Sequence, residues 1–164
     1  MVKALGGAYY YRTNQIFWPD AGKVREIYIK PTLMYLPEDS SWLFNLCQAP
    51  IYGTELLRSN GVTNMAGMFS GATYARPDVY YWDTSKVTNM AYMFNEAASA
   101  EPNVSNWDTS NVTDMQYMFK CAGNADPDVS RWDVSSVTNM TEIRFERMTG
   151  RQYGFFEEYM MKCF

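Results

Sequence analysis

Residues 82–94 read W-D-T-S-K-V-T-N-M-A-Y-M-F, and residues 107–119 read W-D-T-S-N-V-T-D-M-Q-Y-M-F. The second copy lies 25 residues after the first with no insertion. Working outward, V-T-N-M also stands at 62–65 and 137–140, in the same register. Other columns keep step: Met68-Phe69, Met93-Phe94 and Met118-Phe119; Pro77, Pro102 and Pro127; Val79, Val104 and Val129; Trp82, Trp107 and Trp132. Self-similarity at a fixed period of this size predicts stacked coils, each too small to bury its own apolar face.

Within one coil, Val87, Met90, Met93, Phe94 and Ala97 make an apolar stripe at helical spacing. Thr88 or Asn89 suits its N-cap. Pro102 then favours extended backbone in the residue before it. A short strand is expected over 103–105, with Val104 inward and a bend at Asn106 returning Trp107 to the core. The fold expected is an α/β repeat solenoid, with short parallel strands on one face and short helical turns on the other. Met, Phe, Val and Trp columns then fill the core. The Thr-Asn and Thr-Asp pairs could be read as a calcium ladder, but only Asp114 among the second members carries charge. Caps and stacked hydrogen bonds are the better reading.

The repeat fades at both ends. One period before Met68-Phe69 stands Leu43-Phe44, so residues 33–61 read as a degenerate first coil. Upstream, the β-rich segments 9–17 and 24–29 flank the turn sequence W-P-D-A-G. A β-hairpin over the open end is expected there, giving an N-terminal cap at 1–32. Residues 33–145 form the solenoid, one degenerate and about four 25-residue coils. Downstream, Phe156, Tyr159, Met160 and Cys163 recur at roughly helical spacing, so 146–164 is expected to be a helical cap on the same folded unit.

Composition narrows the function. The chain has 164 residues and a net charge of −4, with no basic cluster, which argues against a nucleic-acid partner. It contains no histidine, which removes His-based nucleophile pairs and His-ligated zinc. Cys47, Cys121 and Cys163 are odd in number and lack CxxC spacing, so buried free thiols are expected rather than a disulfide framework or a metal site. No apolar run approaches a membrane span, and the first residues are too short and polar for a secretory leader. A cytoplasmic or virion-associated location is therefore expected. No catalytic site, cofactor or metal is expected.

The run W-D-T-S-x-V-T-x-M-x-x-M-F, with the lead-in L-P-E-D-S-S-W-L-F at 36–44, resembles the repeat of BspA-like bacterial surface proteins and related lipoproteins. The resemblance covers roughly residues 33–145. It implies a right-handed leucine-rich-repeat-like solenoid and a role in adhesion or protein–protein binding, with no catalytic residues to carry over. The family it resembles is widespread in surface proteins, parasites and mobile elements.

Residues that recur in every coil are accounted for by stacking, so binding is sought where the repeat varies. The outward positions are Tyr80 and Tyr81 in one coil, Ser105 and Asn106 in the next, and Ser130 and Arg131 in the third. Tyr and Arg are enriched among interface hot spots. A second contact is expected from the aromatic segment Tyr9, Tyr10, Tyr11, Phe17 and Trp18, which cannot all face inward and suits an oligomeric or assembly contact. The function expected is a non-enzymatic protein–protein interaction module, adhesin-like or a structural subunit of a virion or envelope. The alternative is a mobile-element-encoded inhibitor or effector that binds a host protein inside the cell.

Overall fold

The computed structural model describes residues 24–29 and 34–143. Its regular elements are few: β1 (Ile27–Tyr28), β2 (Met34–Tyr35), β3 (Ile51–Tyr52), a 3-10 turn (Thr54–Leu56) and β4 (Leu57–Arg58). Strand β1 pairs in parallel with β3, and β2 in parallel with β4. In the clean repeats the parallel contact narrows to one residue per coil. Asp39, Asn64, Asn89, Asp114 and Asn139 bridge in succession, each to the residue one period on.

The expected strand over 103–105 is absent. Its place is taken by a four-residue turn in which the Trp107 N–H donates to the Val104 carbonyl at 3.1 Å. Asn103 explains why. Its Oδ1 accepts from the Ser105 N–H and hydroxyl, at 3.3 and 2.8 Å, a local bond that competes with a strand ladder. Parallel pairing runs instead through the Thr-Asn column. Each Thr N–H reaches back one coil, as Thr88 to the Thr63 carbonyl and Thr113 to the Thr88 carbonyl, both at 2.8 Å. The bend that returns the indole inward is present, and Trp107 is buried.

The apolar stripe is buried as expected but is not helical. Among the described residues the 3-10 turn is the one helical element. Over 65–72 the backbone makes overlapping turns instead: Met68 N–H to the Met65 carbonyl, Ser70 to Gly67, Ala72 to Phe69. The alternate N–H groups, of Met65, Gly67, Phe69 and Gly71, donate to Asn89, Ala91, Met93 and Asn95 of the next coil. The next coil repeats the pattern from Met90 to Glu96. A true helix would spend all these donors within itself. Each turn spans four residues and a new one starts every two, so the buried positions still fall three or four apart although half the donors bond laterally.

The core is a set of columns. Phe44, Phe69, Phe94 and Phe119 stack with ring centroids 5.3, 5.6 and 5.4 Å apart. Trp82, Trp107 and Trp132 lie against Phe69, Phe94 and Phe119 at 6.1, 6.4 and 6.4 Å. Each indole is also satisfied, with its Nε1–H donating to the carbonyl of Thr54, Val79 or Val104 in the preceding coil. Methionines 65, 68, 90, 93, 115 and 118 are fully buried beside the rings.

At the N-terminal end, Ile27–Tyr28 falls in the expected cap, yet its parallel pairing with Ile51–Tyr52 brings it into the stack. Ile27 and Ile29 face inward on either side of exposed Tyr28, which is the alternation of a half-buried strand. The segment 9–17, the other arm of the expected hairpin, lies outside the described residues, as does the expected cap at 146–164.

Candidate interaction surface

The six variable positions are placed together, at the tips of equivalent turns rather than on strands. The turns are 79–82, 104–107 and 129–132, each closed by a Trp N–H to Val carbonyl bond of 3.1 Å. Tyr80 and Tyr81, Ser105 and Asn106, and Ser130 and Arg131 are their central residues. Each turn is set by the residue before it. Asp78 Oδ1 accepts the Tyr80 N–H at 3.2 Å, and Asp128 Oδ1 accepts the Ser130 N–H at 3.0 Å. Short Asp and Asn side chains start turns in this way. Behind each tip, the buried Val and Trp anchor the loop to the core.

Tyr81 is 75% exposed and packs edge-on against Tyr80, with centroids 4.9 Å apart. Asn106, Ser130 and Arg131 are exposed, while Tyr80 and Ser105 are half-buried. The tips are thus chemically different at fixed geometry: aromatic, then small and polar, then cationic. After each tip comes Asp83, Asp108 or Asp133. Hydrogen bonds from Ser85, its hydroxyl above all, hold the Asp83 carboxyl below the usual carboxylate range. The aromatic residues Tyr9, Tyr10, Tyr11, Phe17 and Trp18 lie outside the described residues.

A second face escaped the sequence reading. Trp42, Gly67, Tyr92, Tyr117 and Glu142 occupy one column, and all adopt left-handed backbone, with φ between 47° and 60°. Tyr92 and Tyr117 stack at 4.9 Å, and Trp42 reaches across Gly67 to Tyr92 at 6.1 Å. Lys120 stands over the Tyr117 ring at 4.8 Å and pairs with Glu142 at 2.7 Å, a contact that raises the lysine pKa. The ring faces are turned on one another, so this row is occupied by its own packing. Its signal in the sequence was the repeated Tyr at 92 and 117. The left-handed backbone that groups it with Trp42 has no such signal, because non-glycine residues seldom adopt it.

Tyr28, Tyr35, Leu46, Tyr52 and Tyr74 are exposed and were also missed, because they fall where the repeat is degenerate or varies. Cys47 is a buried thiol whose pKa burial raises, as expected. Cys121 is exposed, against expectation. It shares the left-handed conformation of Leu46, Gly71 and Glu96, whose column turns outward at Leu46 and Glu96. Cys163 lies outside the described residues.

The Thr-Asn column uses its oxygens internally. Asn64, Asn89, Asp114 and Asn139 each accept the N–H two residues on, at 2.9 to 3.2 Å. Among the described residues no group of three or more Cys, Asp or Glu is placed to hold a metal ion. No described helix is long and apolar enough to cross a membrane.

Variable tips carried on coils that bond to one another in register define a repeat protein. The chain belongs to the family described as "Mycoplasma protein of unknown function, DUF285", whose model matches residues 40–152 and which is BspA-like in general terms. No curated protein and no solved structure matches the chain.

Proposed function

We propose that this chain is a leucine-rich-repeat-like solenoid that acts without catalysis, as a protein-binding module of adhesin-like or structural-subunit type. One observation carries the reading. The turn tips at 80–81, 105–106 and 130–131 share one backbone geometry and one buried anchor, yet bear different side chains. Repeat proteins typically bind through such a row on one face, because the scaffold fixes position and leaves chemistry free. The kinship to a BspA-like family supports the reading, since proteins with the repeat that this sequence resembles are surface binders. Tyr81, large and exposed beside Tyr80, is the natural anchor, since aromatic side chains dominate interface energetics.

The test compares the wild type with a Tyr80→Ser/Tyr81→Ser double variant as bait for partners. The double variant is expected to lose a partner that the wild type retains, by about 2 kcal/mol or more. Its melting temperature should remain within about 2 °C of the wild type, as for a surface change. Undiminished binding would remove this face from the proposal, and a collapsed melting temperature would assign the pair to the core.

A further inference from the structure

The turn between Arg58 and Val62 holds the one Asn-Gly step in the sequence, Asn60-Gly61. In three later coils the same two positions are Ser85-Lys86, Ser110-Asn111 and Ser135-Ser136. The turn is closed by the Val62 N–H donating to the Ser59 carbonyl at 2.9 Å, and Ser59 is tied to the next coil through its hydroxyl and the Asp83 carbonyl at 3.1 Å. Between these fixed ends the tip is bare. Asn60 and Gly61 are both exposed, and a Cβ placed on Gly61 would meet nothing within 4 Å. Neither the Gly61 N–H nor the Asn60 side chain has a hydrogen-bond partner among the described residues. Gly61 does not need its conformational freedom, since its φ lies outside the left-handed region and Lys, Asn and Ser serve at the equivalent positions.

We propose that Asn60 is a site of spontaneous modification, converted to aspartate and isoaspartate in the folded protein. The Gly61 backbone nitrogen, having lost its proton to solvent base, attacks Asn60 Cγ. The new N–Cγ bond closes a five-membered imide, and the Cγ–NH2 bond breaks to release ammonia. Water then opens the imide. Cleavage at N–Cγ leaves aspartate in an ordinary backbone, and cleavage at the bond to the Asn60 main-chain carbonyl leaves isoaspartate, with the chain running through Cβ. Both products add a negative charge. Isoaspartate also lengthens by one atom the path that the Ser59–Val62 hydrogen bond spans, directly before the fully buried Val62. The other described asparagines are followed by residues with side chains, which hinder the attack, and several have their amides engaged, as Asn111 Nδ2–H is with the Ser85 carbonyl at 2.8 Å.

Intact protein is held in warm, mildly alkaline buffer, then digested and followed by peptide mass and by isoaspartyl methyltransferase labelling. The peptide carrying Asn60 should gain about 1 Da and accept methyl groups, faster as pH rises, ahead of every other asparagine. Gly61→Ala should slow the gain several-fold and Asn60→Ser should abolish it. Both should melt with the wild type, since Ala fits the open space and Ser is the residue of the later coils. An unchanged Asn60 peptide, over a time in which the unfolded protein reacts, would overturn the proposal. So would an equal rate in Gly61→Ala or at Asn111.

Discussion

At the scale of single residues, the indoles show how one side chain fixes both core and ladder. Trp107 buries its ring against Phe94 and gives its Nε1–H to the Val79 carbonyl at 3.0 Å, one coil back. Trp107→Ala should therefore cost about 3–5 kcal/mol in a denaturant melt, as for other large-to-small core changes. A loss below about 1 kcal/mol would mean that the pocket collapses freely or that the ring is not held there. The Trp position was legible in the sequence because it recurs with Val three residues before it. The carbonyl it bonds was not, since a residue in another coil comes within reach only once the stack exists.

At the scale of the element, the turn run from Met65 to Ala72 replaces a helix, and its left-handed positions carry the difference. Trp42, Tyr92 and Tyr117 tolerate φ near 60°, so the backbone at Gly67 does not by itself demand glycine. What demands it is Trp42, whose ring covers the Gly67 Cα where a Cβ would project. Gly67→Ala should thus cost more than the roughly 1 kcal/mol of left-handed backbone alone. Paired with Trp42→Ala in a double-mutant cycle, it should show coupling of about 0.5–3 kcal/mol. Additive effects would show that the contact carries no energy. Which of these residues are buried was legible in the sequence, but the element was not, because overlapping four-residue turns and a helix both bring positions three or four apart onto one side. The deciding quantity is where alternate N–H groups go, and they go to the neighbouring coil.

At the scale of the whole molecule, every coil presents to the next the partners it accepts from the one before. The Asn64, Asn89, Asp114 and Asn139 bridges and the Phe column keep the same step throughout. Excision of 87–111, which joins Lys86 to Val112, should leave a cooperatively folding protein because every column closes again. Excision of 93–116, which joins Tyr92 to Tyr117 and leaves one extra residue inside the turn run, should destabilise it, because the alternation of lateral and local N–H bonds there has a period of two and slips by one. Circular dichroism and a melting curve separate the outcomes, and equal stability of the two deletions would contradict a register-locked stack. The same repetition explains why the candidate surface was only half legible. Variation at 80–81, 105–106 and 130–131 is visible as a break in the period, whereas the row through Trp42, Tyr92 and Tyr117 assembles across coils.

The sequence by itself determined the period, the columns that fill the core and the positions left free to vary. Each of these follows from which residue types recur, and burial of apolar side chains is set by that pattern. Only the tertiary structure decided that the parallel contact runs through the Thr-Asn column, that the apolar stripe is a chain of turns, and that the variable residues sit on turn tips. Backbone donors and acceptors are the same in every residue. Whether they bond within a segment or to the coil beside it depends on what packing brings within reach.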